Sequence, residues 1–460
     1  MMGIETTQQL KESAIATLDA VKRINDILAS KKDLNAADCQ EITDLLTVIQ
    51  KDTQKAEKNN QSYFANTIWT KLHALFPDHP LFAHSGPYET ALVEKIELLI
   101  DGKDAFEKIV EQIRTAQKSI QINIFIWRDD EIGNNIASEL LGAANRGVKV
   151  TIVKDRLGGL FEHAEQNKQS FFHKDLSFTE RMKAKVIDNT YVNEGEAKSA
   201  LQQNNPLVRQ ILDHPNIRVE ANDIRNDHSK YYIFDDKTLI TGGQNIGDEY
   251  HKKWHDYMVK IVDSPELVRS FLDRVKGAKA INKDLAVDFG VNVVRNGIVQ
   301  SREIKPLVQQ LLSKAQEEVI IEMAYFGDKE ISSSIKEAAA RGVSIKILIP
   351  EKANVQDDLN KKIMSEFLQF PTIEVYYLPV MTHAKCIMVD QKISFLGSAN
   401  LNTQATTELG ETNILINDQQ CAFTRELLAQ LQKDLRISKR VHRVSFDQQK
   451  ASLEGAISSK

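Results

Sequence analysis

The chain has 460 residues, 42% of them hydrophobic and 27% charged, with 59 Lys plus Arg against 64 Asp plus Glu. That length corresponds to about three domains at roughly 150 residues each, and the composition excludes a disordered or fibrous chain. A net charge of −5 argues against a surface that coats itself with nucleic acid, although a local basic cleft stays compatible with it. Cys39, Cys386 and Cys421 lie far apart, so neither a disulfide framework nor a paired-cysteine zinc site is expected. There is no apolar run of about 18 residues and no basic start followed by an apolar stretch, so neither a transmembrane helix nor a signal peptide is expected. The reading is a cytoplasmic protein, or one peripheral on membranes.

Residues 1–90 read as a helical extension. Leu18, Val21, Ile24 and Leu28 recur at helical spacing, as do Ile42, Leu45, Leu46 and Ile49, until Pro77 and Pro80 break the pattern. Such stripes face a core more often than a membrane or a partner.

From about residue 92 to 435 the chain then gives nearly the same pattern twice. In the first pass, residues 91–280, a helix carries Phe106, Ile109, Val110 and Ile113, and a strand alternates Ile120, Ile122, Ile124 and Ile126. A helix with Ile136, Leu140, Leu141 and Ala144 follows, then Arg146-Gly147-Val148 leads into the strand Lys149 to Val153. The second pass, residues 281–438, repeats the order with Leu307, Val308, Leu311 and Leu312, then Val319 to Met323, then Ile331, Ile335 and Ala338. Arg341-Gly342-Val343 again precedes a strand, Ser344 to Ile349. Strands alternating with helices predict parallel β-α-β units with helices on both faces of a sheet, and each Gly in Arg-Gly-Val predicts a left-handed helix end. Arg146 precedes His228 by 82 residues whereas Arg341 precedes His383 by 42, so the first half carries an insertion over about 157–205. A long insert in a compact domain predicts a lid or rim. Residues 439–460 read as a solvated tail.

Each pass ends on one constellation. The first has His228-Ser229-Lys230, Asp235, then Gly242-Gly243-Gln244-Asn245; the second has His383-Ala384-Lys385, Asp390, then Gly397-Ser398-Ala399-Asn400. His and Asn are 17 residues apart both times, and an acid, Asp256 or Glu411, follows 28 residues after each His. One such motif alone carries little; two at matching points of a repeat exclude chance. Residues i and i+2 of a strand share a face, so each His points with its Lys. Asp235 and Asp390 stand at an odd offset at a strand end, as hairpin anchors rather than substrate contacts. Gly242, Gly243 and Gly397 predict close backbone approach to a ligand.

Two His, two Lys and two Asn from related halves predict one site on a pseudo-twofold axis, suited to phosphate chemistry. The ammonium and amide groups would hold the equatorial oxygens, one imidazole would attack phosphorus, and the other would protonate the leaving alkoxide. The acid 28 residues after each His is placed to hold that ring's Nδ1–H. The lysines supply the positive charge, so no metal ligand set and no cofactor is called for. Trp127 and Phe326, at matching strand ends, are expected to form the substrate rim. His251 and His255 have zinc-pair spacing but lack a third ligand and read as surface residues. Tyr376 to Met381 reads either as a lipid-facing rim or as a buried strand.

On these two motifs the chain resembles the phospholipase D superfamily, over about 350 residues. The stretch Gly242 to Tyr250, with Trp254 and Asp256, looks like the bacterial cardiolipin synthase branch, whereas Asn402-Thr403-Gln404-Ala405 departs from it. The resemblance implies an α/β fold of two phospholipase D-like β-α-β repeats, a pseudo-twofold pair with one shared active site behind the helical extension. It also implies a phosphohistidine intermediate, with His228 as nucleophile and His383 as acid. The expected activity is phosphodiester hydrolysis or phosphatidyl transfer on phospholipid headgroups at a membrane surface, with water or an alcohol as acceptor. Nucleic acid is not the expected partner. The alternatives are a nuclease or other phosphodiesterase of the same superfamily, and an inactive scaffold that binds a membrane or partner. Oligomeric state is not read from the sequence.

Overall fold

A computed structural model describes residues 95–164, 170–173, 175–188, 205–277, 286–295, 297–419 and 421–458, with seven positions before residue 95. The chain forms two compact units, one of Met1–Thr90 with Ile281–Leu285 and one of Ala91–Ala280 with Ala286–Lys460. In the first unit the described positions Asp19, Ala20, Arg23, Ile24, Glu41, Asp44 and Leu45 are helical. Ala20 and Ile24 are buried, and Arg23 Nε donates to Glu41 at 2.8 Å. The rest of the expected helical extension lies outside the described residues.

The second unit contains two mixed sheets. The first is built from β1 (Ile96–Ile100), β2 (Ser119–Ile124), β3 (Lys149–Lys154), β4 (Ile217–Glu220), β5 (Tyr231–Phe234), β6 (Thr238–Gly242) and β7 (Tyr257–Ile261), in the order β1-β7-β6-β5-β2-β3-β4. The second is built from β8 (Val287–Arg295), β9 (Ile298–Ser301), β10 (Glu318–Met323), β11 (Ser344–Pro350), β12 (Ile373–Leu378), β13 (Lys385–Val389), β14 (Ile393–Gly397), β15 (Glu411–Asn417) and β16 (Lys439–Val441). Its order, β16-β12-β11-β10-β13-β14-β15-β8-β9, repeats the first with one strand added at each edge.

Among the described strands β2-β3-β4 and β10-β11-β12 run parallel, and the other strand pairings are antiparallel. The antiparallel arms follow from tight hairpins. Asp235 and Asp236 (φ 51° and 55°) and Asp390 and Gln391 (φ 51° and 53°) occupy the left-handed region that tight hairpin turns favour, and Lys237 N and Lys392 N close those turns onto Phe234 O at 3.1 Å and Val389 O at 3.0 Å. Asp235 also accepts the backbone N–H groups of Gln117, Lys118 and Ser119, and Asp390 those of Gln316, Glu317 and Glu318. Each carboxylate thereby ties its hairpin to the start of the neighbouring parallel strand.

The Arg-Gly-Val tripeptides work the same way in both halves. Gly147 and Gly342 take φ 96° and 93° just past helices Glu131–Asn145 and Lys329–Ala340, and the arginine side chains reach across to the last turn of the helix one strand earlier. Arg146 donates to Ile113 O at 2.8 Å and Arg341 to Leu312 O at 2.7 Å. Helix Asp101–Thr115 buries Phe106, Ile109, Val110 and Ile113, and helix Ile304–Lys314 buries Val308, Leu311 and Leu312. Each face packs into the core of its own half.

The insertion contributes helices Arg156–Ala164 and Phe178–Asp188. The first is pinned by Glu162, which is fully buried, pairs with Lys154 at 3.0 Å and accepts the Trp127 N–H at 2.7 Å.

The chain past Ser438 is not a solvated tail. Lys439–Val441 pairs with β12 as β16, and helix Gln448–Ser458 docks on helix Asp357–Phe367, where Glu454 accepts the Leu359 N–H at 2.7 Å. Tyr376 and Tyr377 lie in β12, so that stretch is a strand entering the motif.

A polar cluster joins the two halves where the sequence predicts a surface histidine. His255 is 6% exposed, and its Nδ1 lies 2.6 Å from Asp101 Oδ1. Its Nε2 lies 3.0 Å from the Tyr257 hydroxyl, which donates to Glu322 at 2.8 Å and sits 3.1 Å from Asp434. One ligand atom each from His255, Glu322 and Asp434 falls within 4.8 Å of the others, yet the Tyr257 hydroxyl already sits within hydrogen-bond distance of all three. Burial pushes the imidazole pKa down, but Glu322, Asp101 and Asp434 outweigh it and hold His255 well above its ordinary value. His255→Ala leaves two buried carboxylates without their cation and should cost roughly 3–5 kcal/mol in chemical denaturation. The stabilisation from that proton is complete below the unfolded pKa of about 6.5 and fades as pH rises through the raised folded value. Wild-type stability in the variant would remove the cluster from the interface energetics.

Candidate active site

The two histidines meet in one cavity of about 440 Å³, which Asn245, Asn400 and Glu411 also line. That volume lies within the ordinary range for small-ligand sites. Each histidine stands just before a strand, β5 or β13, and its backbone is bonded to the opposite half. His228 N donates to Gly410 O at 2.8 Å, and Gly410 N returns a bond to Asn226 O at 2.7 Å. Symmetrically, His255 N donates to Met381 O at 2.9 Å, and His383 N to His255 O at 2.7 Å.

This exchange corrects the expected acid pairing. His228 Nδ1 lies 2.9 Å from Glu411 Oε1, and His383 Nδ1 lies 2.8 Å from Asp256 Oδ2. Each ring is held by the acid of the other half, because the segment before each acid is paired with the segment before the other half's histidine. With Nδ1–H donating to a carboxylate, Nε2 is left for the substrate.

The carboxylates are themselves held. Glu411 Oε2 accepts the Ser398 hydroxyl, and Asp256 Oδ1 accepts the Tyr257 N–H at 2.8 Å. The glycines serve this packing rather than a ligand. A Cβ on Gly243 would fall 2.6 Å from the Asp256 carboxylate oxygens, and Cβ atoms on Gly242 and Gly397 would strike the Tyr257 and Thr412 carbonyls.

Lys230 and Lys385 are buried, and each ammonium donates to the carbonyl of its own histidine. Lys385 Nζ also lies 2.8 Å from His383 Nδ1 and 4.0 Å from Asp256. Burial lowers the two lysine pKa values to about 7 and about 8 respectively, with Glu411 holding up Lys230 and Asp256 holding up Lys385. Burial, then Lys230, depresses His228; burial, Lys385 and Lys230 depress His383 well below its ordinary value. Asp256 is pushed up to about 7 by burial, against the pull of Lys385. Asn245 Oδ1 accepts the Ile126 N–H at 3.0 Å, which fixes its side chain at the cavity wall.

Trp127 and Phe326 do not form the rim. They are 0% and 1% exposed and belong to the cores of their halves, where Trp127 stacks on Phe171 with centroids 5.4 Å apart. The rim comes instead from Phe125 and Tyr325, just before them, and from Leu157 and Phe161 of the insertion. The Phe125 ring meets the His228 ring edge-on at 4.8 Å. Tyr250 and Trp254 line the His383 side, at 5.3 and 5.5 Å between centroids. Glu454 and Ile457 of the C-terminal helix complete the lining, beyond the reach of any motif.

The family model described as cardiolipin synthase, PLD-like domain, matches residues 109–277 and 308–435. A cardiolipin synthase of Clostridium perfringens (strain SM101 / Type A) is 26% identical over 383 residues, 76% of this chain and 72% of its own length. A cardiolipin synthase of Staphylococcus aureus (strain Mu50 / ATCC 700699) is 25% identical over 376 residues, 76% of this chain and 69% of that one. Among solved structures, the phosphatidylserine synthase of Haemophilus influenzae Rd KW20 superposes with a TM-score of 0.57 at 16% identity, covering 80% of this chain and 95% of that one. At that identity the likeness is one of fold. The family model covers the central strands and the histidine motifs of both halves and well over half the residues, so the chain belongs to the PLD-like domain family.

Proposed function

We propose that this protein is a phospholipase D-type enzyme that cleaves or exchanges the headgroup phosphodiester of phospholipids. The observation that carries the reading is the pair of cavity-lining imidazoles, each tied at Nδ1 to a buried carboxylate. Similarity to cardiolipin synthases supports phosphatidyl transfer as the chemistry.

In the first step His228 Nε2 attacks phosphorus and the P–O bond to the headgroup breaks, while His383 gives its Nε2 proton to the departing alkoxide. In the second step His383 takes a proton from water or an alcohol, the new oxygen attacks phosphorus, and the P–N bond to His228 breaks. Burial and Lys230 keep His228 neutral at neutral pH, as a nucleophile requires. Burial, then Lys385 and Lys230, keep His383 unprotonated in the empty site, and an anionic phosphodiester in the cavity offsets the lysines' repulsion so that His383 can hold a proton. Asn245 and Asn400, which line the cavity, are assigned to the equatorial oxygens where charge accumulates, while Lys230 and Lys385, buried with each ammonium on its own histidine's carbonyl, supply positive charge from behind the lining.

No helix among the described residues is long and apolar enough to cross a membrane, so a peripheral encounter with the lipid surface fits the reading. Incubation with mixed-headgroup vesicles, with and without added glycerol or ethanol, should release free headgroup and should form a new phosphatidyl alcohol when the alcohol is present. Intact lipid in both arms, with turnover of a soluble phosphodiester, would point to a different substrate for the same chemistry.

A further inference from the structure

The two walls of the cavity differ in character. On the His228 side Phe125 packs on the imidazole and on Phe161, whose ring lies 5.6 Å away. On the His383 side the wall can be followed residue by residue. Tyr325 faces His383 at 6.4 Å between centroids, and its hydroxyl donates to Asn354 Oδ1 at 2.5 Å. Two residues on, Gln356 lines the cavity and precedes helix Asp357–Phe367. Onto the first turn of that helix Glu454 is docked.

Three acceptor oxygens on this lining have no hydrogen-bond partner: Glu454 Oε1, Gln356 Oε1 and Asn400 Oδ1. A carboxamide can turn and offer its N–H groups instead, but a carboxylate cannot. Glu454 is 3% exposed, so an unpartnered oxygen there is costly unless a ligand supplies the donor. Among the described residues no lysine or arginine side chain lines the cavity. A second phosphate on the leaving group would therefore face a carboxylate with no cation to receive it. An ammonium would find a carboxylate in a cavity that Trp254 and Tyr325 also line, and aromatic rings favour a cation.

We propose that the leaving headgroup is a primary amino alcohol, its ammonium seated at Glu454 on the His383 side while the diacylglycerol part lies along the Phe125 wall beside His228. This inference rests on the phospholipid reading above and names the headgroup class within it. The arrangement agrees with the proposed roles, because the group beside His383 departs and the group beside His228 stays on the phosphorus. It also accounts for the departure at Asn402-Thr403-Gln404-Ala405, since Gln404 donates to Ile457 O at 3.3 Å and so fastens the helix that presents Glu454.

The test uses the full chain and vesicles of neutral carrier lipid containing either phosphatidylethanolamine or phosphatidylglycerol. Wild type should turn over the ethanolamine lipid with the higher kcat/KM. Glu454→Gln keeps an oxygen for the Leu359 N–H but loses the charge, so the ethanolamine-to-glycerol ratio of kcat/KM should fall by about tenfold or more. Glu454→Asp, which keeps the charge, should hold more of the preference than Gln at comparable thermal midpoints. A wild-type preference for the glycerol lipid, or an unchanged ratio in Glu454→Gln, overturns the assignment while leaving the phospholipid reading standing. Turnover of a soluble phosphodiester but of neither lipid removes that reading and this inference together.

Discussion

His228→Ala and His383→Ala should each abolish turnover of a natural phospholipid in a chain that keeps its fold, but by losing different steps. Without His228 there is no nucleophile and no covalent intermediate, so no change of leaving group restores the reaction. Without His383 the headgroup must depart as an unprotonated alkoxide, a loss of roughly two to four orders of magnitude. A phosphodiester with a 4-nitrophenolate leaving group needs no proton, so it should recover much of the first step in His383→Ala and none in His228→Ala. The readouts are burst-phase release of 4-nitrophenol and capture of the phosphorylated protein. Recovery in His228→Ala instead would exchange the two roles, and substantial activity of both variants on phospholipid would sink the two-histidine mechanism. Thermal midpoints check the fold. Glu411 keeps its Ser398 bond when the His228 ring is removed, and Asp256 keeps its Tyr257 N–H bond when the His383 ring goes.

Glu411→Gln and Asp256→Asn should each cost on the order of a hundredfold in turnover, the first by letting His228 adopt the tautomer whose Nε2 carries a proton and cannot attack, the second by withdrawing the carboxylate that supports His383 as the imidazolium. The exchanged pairing makes the effect assignable. Glu411 holds the His228 pKa up, so Glu411→Gln should shift the His228 NMR titration downward while Asp256→Asn leaves it in place. A His228 titration that answers to Asp256 and not to Glu411 would return the pairing to within each half. Asp235→Asn and Asp390→Asn are the controls. Each carboxylate accepts three backbone N–H groups away from the cavity, so these variants should lower the thermal midpoint and leave turnover per folded molecule near wild type.

Legibility in the sequence followed the range of the interaction. Features set by local backbone demands could be read: the Arg-Gly-Val helix ends, the alternating central strands and the strand-end position of Asp235 and Asp390. The duplicated His-x-Lys motif was also readable, because repetition at fixed spacing carries its own control. What could not be read depends on segments distant in the chain. Own-half pairing of Asp256 and Glu411 was the natural inference from equal spacing, yet backbone ladders at Gly410 and His255 decide the pairing. His255 looked like a surface residue because its partners Asp101, Glu322 and Asp434 lie far from it in sequence. Trp127 and Phe326 were placed at strand ends correctly, but ring size drew them into the cores, and the shorter reach to the cavity fell to Phe125 and Tyr325. Glu454 follows no motif, and its helix shows no strong apolar stripe to announce a docked element.

The exchanged backbone ladders bear on how such a molecule can evolve. A duplicated enzyme is free to specialise when each copy carries out one step by itself, since drift in one copy leaves the other intact. Here neither copy is self-sufficient, because the imidazole of each step comes from one half and its orienting carboxylate from the other. A change that tilts either half disturbs both steps at once, so the acid step cannot be tuned against the nucleophilic step by altering one half alone. Divergence is thereby confined to parts outside the ladders. The insertion around 157–205 and the C-terminal helix are such parts, and each is present in only one half. Asymmetry in substrate choice can therefore accumulate at the rim while the reacting centre stays close to symmetric.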